Sequence, residues 1–590
     1  MRCARPQGSP GLTGWGRLQF RFPVIRDEIA ALLRGATEAA QHTGLLPQVT
    51  LPDVTVEPPQ RAEHGDYTTN LAMRLARAAR MAPQQIAQIL IQSLPENELV
   101  ASADVAGAGF INFTLRPELL ASRVETILHE GERFGHNEQG GGRSVQVEFV
   151  SANPTERLHA GSGRGAALGD SLANLLTASG WKVQREYYVN DAGSRLEALG
   201  QTVLARYLQA LGHPAEVPKE GYHSEYLAEY GKQLAEEHGD RFMEMDQPEA
   251  VRELTRGAVE KFVALHKADM DSLGIRYDNW YREEALHERN DLFKVVQILR
   301  DKGYVAEREG AVWFSSTALG DDKDNVLIRG NGVPAYLASD IAYHRDKFLE
   351  RRFDRVIDIW GADHQGHVSR MKAAVQALDV DSDRLTIIIH QMITLKRGEE
   401  LVKLSKRAGN IVALADVIEE VGKDACRFFF VSRSADSHQE FDLELAQKET
   451  NENPVFYVQY SHARTASILE MGRERGVSGN DGMLRLEHPS ELALARALLR
   501  YPELLHDAAT QLEPHRLTYF AQELASVFNA FYRDCRVLPS DRTPEDPPRQ
   551  VSESRLLLVA AAKQVLANTL AILGVSAPER MARLEEEPTG

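Results

Sequence analysis

Two separated stretches hold residues suited to grasping phosphate. SANPTERLHAGSGRGAALGD begins at Ser151, between the apolar run 145–150 and an Ala/Leu-periodic stretch that predicts a helix to Ser179. LVKLSKRAGN begins at Leu401. In the first, Gly161 and Gly163 let the backbone approach a phosphate at a helix N-terminus, where free N–H groups and the macrodipole favour an anion. Ser162 fits the N-cap, its hydroxyl accepting from the N–H of Arg164 or Gly165, and His159 can donate a hydrogen bond to a phosphate oxygen. In the second, Lys403 and Lys406 flank a short segment of a loop that also holds Gly409. Two ammonium groups closing on a polyphosphate stabilise the charge that develops at the α-phosphate as pyrophosphate leaves. Together the stretches suggest ATP held from two sides.

The glycines also satisfy a looser pattern. Gly161, Gly163 and Ala166 read as GxGxxA, and Glu186 follows about twenty residues on, as a dinucleotide fingerprint requires. Against a nicotinamide-dependent oxidoreductase, the ten residues SANPTERLHA separate Val150 from the first glycine, whereas that fingerprint needs a tight strand-to-helix turn.

The elements that must position these residues run in blocks. A chain of 590 residues is too long for one core and divides into about three to five domains. Its 43% hydrophobic and 26% charged residues are those of a soluble globular protein, and no apolar run approaches the roughly 20 residues of a membrane span. Cys3, Cys426 and Cys535 form no CxxC pair, against structural zinc or a disulfide framework. A net charge of −17 argues against a generally sticky nucleic-acid binder, but leaves local basic stripes open. Residues 1–22 contain arginines, Pro and Gly without an acid, and read as a disordered tail or an overlong start rather than a targeting segment.

Residues 23–118 mix helices and strands and end at VAGAGFINFTL, where Gly107 and Gly109 punctuate a strand. There Arg74, Arg77 and Arg80 recur every three residues near one helix face, either a solvated surface or an RNA-backbone contact. From 144 to 395, VQVEFV, WKVQREYYV, RVIDIW and LTIIIH alternate with helical runs, which implies a multidomain α/β protein with a mainly parallel sheet. Ligands in such sheets bind beyond the carboxyl ends of the strands. A helical insertion breaks the alternation at about 193–278, a connecting region spans 396–450, and 451–590 reads as an all-α bundle. In the bundle Phe456, Tyr457 and Tyr460 lie at helical spacing, for the core or for base stacking.

At this point the residues resemble a family. His159-Ala160-Gly161-Ser162 and Lys403-Leu404-Ser405-Lys406-Arg407 look like the HIGH and KMSKS signatures of class I aminoacyl-tRNA synthetases. VEFVSANPT, EYYVNDAG, NVLIRGNGVPAYLASDIAYHRDKF, WGADHQGH, NENPVFYVQYSHAR and LGVSAPERM are similar to the arginyl-tRNA synthetase family, over about residues 23–581. The resemblance implies a Rossmann-like catalytic domain, an N-terminal α+β domain at the tRNA elbow and a C-terminal anticodon-binding bundle. It implies ligation of L-arginine to tRNA(Arg) with ATP and Mg²⁺, by a cytoplasmic monomer, with no DNA, no membrane and no protein-bound transition metal. Glu148, Ser151 and Asn153 match positions around the arginine and the reaction centre, and Tyr336, Asp340 and His364 the pocket for its guanidinium and amino groups. Gly161, Gly163, Asp363, His367 and Ser405 match the nucleotide side, and His159, Ser162, Lys403 and Lys406 the catalytic positions. A planar five-donor guanidinium needs a carboxylate acceptor, and Asp340 supplies a bidentate one.

The departures are concentrated in one loop. The family pattern reads SANPTGPLHVGHGRGA, so that Glu156 and Arg157 replace Gly-Pro, Ala160 replaces Val, and Ser162 replaces the second histidine of HIGH. Losing one transition-state donor costs about 10² to 10³ in rate. Glu156 is expected to add negative charge near the triphosphate path, with Arg157 compensating it. Two expectations follow, a ligase with an altered grip on ATP or a tRNA-binding regulatory paralogue with an impaired ligase site.

Overall fold

The computed structural model describes residues 24–59, 61–402, 412–477, 484–539 and 546–582. At the N-terminus, strands β1 (Tyr67–Thr69), β2 (Val100–Ala106) and β3 (Phe110–Leu115) form an antiparallel sheet in the order β1-β3-β2, covered by helices Ile25–His42, Leu71–Ala79 and Pro83–Gln92. The β2–β3 hairpin turns through Gly107 and Gly109, both at positive φ, and a Cβ on Gly109 would stand 2.7 Å from that of Pro83. The three arginines do not share a helix face. The helix ends at Ala79, Arg80 caps it in the left-handed conformation, and Arg74 donates to the Asp53 carbonyl.

The central sheet takes its strands from distant parts of the chain. β4 (Ser144–Phe149), β5 (Lys182–Val189) and β6 (Asn279–Arg282) come first; then β7 (Val305–Arg308), β8 (Ala311–Phe314) and β9 (Asn325–Ile328) form a separate antiparallel sheet; β10 (Arg355–Gly361) and β11 (Leu385–His390) return to the first. The order β11-β10-β4-β5-β6 is parallel throughout. Strand order reverses between β4 and β10, and a crevice opens beyond their carboxyl ends at such a switch point. β4 is buried along most of its length, as a central strand covered on both faces must be.

Helix Ala160–Ala178 packs on β4 through a stripe without side chains. A Cβ on Gly169 would lie 2.2 Å from the Phe149 ring, and one on Gly163 2.5 Å from Leu414. Between β5 and β6 stand helices Ser194–Ala210, Glu225–His238, Arg241–Glu244 and Gln247–Ser272, with an apolar core of their own that includes Leu199, Tyr207, Leu227 and Phe262. Beyond the central sheet, β12 (Ile393–Arg397), β13 (Glu400–Leu401) and β14 (Gln439–Asp442) form a small sheet in the order β13-β12-β14.

The C-terminal bundle comprises helices Pro454–Glu474, Pro489–Leu499, Tyr501–Gln511, His515–Asp534 and Arg549–Leu573. Contrary to the sequence reading, the last is long and apolar enough by composition to cross a membrane. It is the bundle's core helix, with Leu558, Val565, Leu566 and Leu570 buried. The bundle also receives the N-terminal domain, since Tyr67 donates to Glu503 at 2.8 Å and Arg26 makes a two-pronged pair with Asp507 at 2.9 and 3.1 Å.

The close approach at Phe149 sets the height of the His159 helix above the sheet. Gly169→Ala should therefore lower unfolding free energy by about 1–3 kcal/mol through overpacking, measured by denaturant titration of the full chain; an unchanged midpoint would show that the helix can shift freely.

Candidate active site

Three carboxylates lie abreast across the sheet. Glu148 of β4 is in register with Asp358 of β10 on one side and Glu186 of β5 on the other. In-register neighbours on parallel strands project to the same face, and all three are buried. Their cations come from one helix, Tyr336–Arg345, and the single π-turn Asp346–Glu350 that continues it. Lys347 Nζ, fully buried, donates to Glu148 Oε2 at 2.6 Å and Asp358 Oδ1 at 2.8 Å. Arg351 grips Glu186 with both terminal nitrogens, one at 2.9 Å, and Tyr343 and Gln146 donate to the same carboxylate. His344 bridges the Asp340 carbonyl and Asp358 Oδ2. Although burial raises it, the Asp358 carboxyl is held down to about 2 by Lys347 and His344. Glu186 is likewise pulled below the ordinary range against its burial, chiefly by Arg351. With its oxygens so engaged, Glu186 is not the ribose acceptor of a dinucleotide site.

Asp340, His344, Lys347 and Arg351 recur at four, three and four residues along this helix. The last three are consumed by the acid row. The Asp340 carboxylate, one turn nearer the helix N-terminus, has no hydrogen bond or ion pair among the described residues. Burial pushes it up to about 6, with repulsion from Glu148 and Asp358 opposing the pull of His344 and His364. Glu283, directly after β6, is buried and pushed up to about 7 by burial first, against its bonds to Ser339 and Tyr188, with Asp340 and Asp191 raising it further. Its Oε2 is without a hydrogen-bond partner. Glu283 Oε1 has only His287 Nε2, at 3.8 Å, as an ion-pair partner, so two carboxyls without a Lys or Arg partner among the described residues lie at the carboxyl edge of the sheet. Sequence reading missed Glu283; the available signal was its place at the end of a parallel strand, where ligands bind.

The loop after β4 is held against its own backbone preference. Val150 and Ser151 have φ of 71° and 44°, a left-handed pair that costs of order 1–3 kcal/mol per residue unless surroundings enforce it. Ser151 Oγ donates to Glu148 Oε1 at 2.9 Å and accepts the Tyr188 N–H at 3.1 Å. Its hydroxyl is therefore a fastener of the loop. The Asn153 amide makes no side-chain bond among the described residues. Tyr336 is 48% exposed at the start of its helix.

Ser162 is not the N-cap. His159 is, its Nδ1 accepting the Ser162 N–H at 3.2 Å, while Ser162 sits inside the first turn. An accepting Nδ1 leaves the proton on Nε2, and burial lowers the ring's affinity for a second proton against the pull of Glu156 and Asp363. A Cβ on Gly161 would meet the His159 ring at 2.9 Å. The Gly163 N–H is spent on the His159 carbonyl, so the absence of a side chain there serves packing against Leu414 and Phe430. Arg157 pairs loosely with Asp269, at 3.8 Å, rather than with the exposed Glu156.

Lys403, Ser405 and Lys406 lie outside the described residues. The chain on either side of them is placed: the Val402 N–H donates to Leu395 O at 3.0 Å beside the β12–β13 hairpin, and Ala413 bridges His159, with the Leu414 N–H donating to Leu158 O at 2.8 Å. The described chain therefore stops beside the β12–β13 hairpin and resumes beside His159. Asp363, His364 and His367 occupy the turn Ala362–His367 after β10, all exposed. Asp363 acts on the charge of His159 and His390, and His364 on that of Asp340.

A doubly wound sheet with a helical insertion and a histidine-capped helix at its switch point is the frame of a class I tRNA synthetase. Three family models match: "Arginyl tRNA synthetase N terminal domain" over 24–115, "tRNA synthetases class I (R), catalytic domain" over 123–468 and "DALR anticodon binding domain" over 458–581. The arginine–tRNA ligase of Dehalococcoides mccartyi strain BAV1 is 47% identical over 95% of this chain and 99% of its own. That of Desulforudis audaxviator is 48% identical over 96% and 100%. The arginyl-tRNA synthetase structure from Thermus thermophilus shares the fold, with a TM-score of 0.72 at 24% identity, covering 94% of this chain and all of that one. The chain belongs to the arginyl-tRNA synthetase family.

Asp340 and Glu283 titrate above their unfolded values of roughly 4. Between about pH 4 and 7 the native state then holds more protons than the unfolded chain, and the stability from these two groups declines as pH rises through that window. Asp340→Asn should flatten that decline in melting temperature against pH; a parallel profile would mean that Asp340 is not the titrating group.

Proposed function

We propose that this chain ligates L-arginine to tRNA(Arg) through arginyl-adenylate, and that Asp340 with Glu283 receives the guanidinium. The observation that carries the reading is the Asp340 carboxylate, without a hydrogen bond or ion pair among the described residues and close enough to Glu283 to act on its charge. A planar cation with five donors fits two carboxylates, whereas lysine would leave acceptors unfilled and be rejected. Tyr336 lies one turn before Asp340 on the same helix, His364 acts on the charge of Asp340, and the Asn153 amide is without a side-chain bond among the described residues.

The arginine carboxylate oxygen forms a bond to the α-phosphorus of ATP as the bond to the β-phosphate oxygen breaks and pyrophosphate leaves. A hydroxyl of the tRNA's terminal adenosine then attacks the acyl carbon, AMP departs and the hydroxyl proton is released. No protein nucleophile is needed. His159 donates through Nε2 to a phosphate oxygen, with Lys403 and Lys406 neutralising the phosphates and Asp363, His367 and Ser405 on the nucleotide side. Among the described residues no group of three or more His, Cys, Asp or Glu is arranged to hold a metal, so Mg²⁺ would be carried by the nucleotide's own phosphates. For tRNA, Phe456 and Tyr460 stack at 5.9 Å with Arg464 over Tyr460 at 4.9 Å, a surface suited to a base. Tyr457 packs against the core instead. No observation favours the silent paralogue.

Charging of tRNA(Arg) with labelled arginine and ATP tests the reading; robust charging is expected, and tRNA binding without charging would contradict it. Ser162→His should raise kcat by up to about 10²-fold by adding a donor in the first helical turn. Unchanged or lower turnover by a folded variant would show that serine suffices. Asp340→Ala should raise the arginine KM about 10²-fold; a normal KM and normal selectivity against lysine would displace Asp340 from the pocket.

A further inference from the structure

The insertion helix Gln247–Ser272 reaches back to the loop between β4 and His159 at two points. His266, fully buried, meets the Glu156 carbonyl through Nε2 at 2.8 Å and the Tyr187 hydroxyl through Nδ1 at 2.9 Å. The same hydroxyl accepts the Ala152 N–H at 3.2 Å. A carbonyl only accepts, so the ring proton is on Nε2; Nδ1 must accept, and Tyr187 must donate to it. The Ala152 carbonyl, at 3.4 Å, is a longer alternative acceptor for the same Tyr187 proton, and the relay joins the two ends of the segment 152–156. Three residues further along the same helix, Asp269 faces Arg157.

We propose that His266 is a positioning residue for adenylate formation, clamping the loop Ala152–Glu156 through Tyr187 so that His159 is presented to the α-phosphate at a fixed height. The inference rests on the ligase reading above. The loop begins with the left-handed pair Val150 and Ser151 and carries Glu156 and Arg157 where the family pattern has Gly-Pro. With Arg157 in place of that proline, Pro154 is the loop's one remaining residue of fixed φ, and the conformational freedom of the stretch from Thr155 to His159 must be removed by outside contacts. His266 supplies one to the main chain of Glu156 itself, three residues before His159. The Arg157–Asp269 pair is secondary, because Arg157 Nε and Asp269 Oδ2 are both left without hydrogen-bond partners. The arginine carboxylates belong to other elements, the helix Tyr336–Arg345 and the end of β6. Loosening the clamp therefore moves His159, with Asn153 at the reacting end, and leaves the two carboxylates proposed for the guanidinium in place.

The test uses the full chain with tRNA present and compares wild type, His266→Ala, His266→Gln and Tyr187→Phe for kcat, arginine KM and melting temperature. His266→Ala should lower kcat about 10²-fold, the scale of a misplacement of about 1 Å, with arginine KM within about twofold of wild type. His266→Gln, which retains an N–H donor and an oxygen acceptor, should recover most of the loss. Wild-type kcat in folded His266→Ala, a loss that His266→Gln does not restore, or a matching rise in arginine KM would each overturn the proposal. If His266→Ala fails to fold, Tyr187→Phe decides, since it deletes only the hydroxyl: a fall in kcat at constant arginine KM supports the clamp and an unchanged kcat overturns it. Failure of the wild type to charge arginine would strike the ligase reading and the clamp with it, whereas equal charging by wild type and His266→Ala would strike the clamp alone.

Discussion

Lys347 stands between Glu148 and Asp358 in the interior of the sheet's covering layer, and the arrangement of the site depends on it. A buried carboxylate costs several kcal/mol unless paired and hydrogen-bonded, and removing one partner of such a pair costs about 3–5 kcal/mol. Three in-register acids on β10, β4 and β5 would be intolerable alone. The helix face carrying His344, Lys347 and Arg351 neutralises them and is in turn fixed in rotation and height by them. That fixes Asp340 as well, one turn back on the same face and with no cation left for it. The π-turn at Asp346–Glu350 belongs to the same arrangement, since it lets Lys347 and Arg351 reach different strands.

The second half of the site is assembled around His159. Glycines at 163 and 169 bring its helix down onto Phe430 and Phe149, while an isolated β-bridge joins His159 to Ala413. The loop from β4 to this helix is fastened at Ser151, which ties Glu148 to the Tyr188 backbone. Glu148 is thus shared between the two halves: one oxygen faces Lys347 and the other faces Ser151. The helix that carries Asp340 and the loop that leads to His159 are mechanically connected through one residue.

Much of this was legible in the sequence. The runs VQVEFV, WKVQREYYV, RVIDIW and LTIIIH all became strands of the parallel sheet, because β-branched and aromatic clusters bounded by turn residues leave little choice. Asp340 was singled out by the resemblance together with the donor count of a guanidinium, and the structure leaves its carboxylate without a hydrogen bond or ion pair among the described residues. The N-cap was not: Ser162 has the right residue type, but the chain turns helical at Ala160, and the imidazole of His159 caps the helix by accepting the N–H of Ser162 itself. Pairwise partners were equally hidden. Nothing in local sequence tells that Arg157 faces Asp269, or that Glu186 faces Arg351, since these pairs are closed by tertiary approach over more than a hundred residues. The arginine series 74, 77 and 80 misled because Arg80 lies one residue past the helix end.

The central claim is that a carboxylate left unpaired by the buried ionic row selects a guanidinium by its charge and its donors. Citrulline has the shape of arginine with one terminal nitrogen replaced by a carbonyl oxygen, and it carries no side-chain charge. Calorimetric titration of the full chain with L-arginine and L-citrulline at neutral pH addresses the claim most directly. The account predicts binding of arginine and at least about 10²-fold weaker binding of citrulline, the cost of facing buried acceptors with an acceptor. Equal affinity for the two would contradict it.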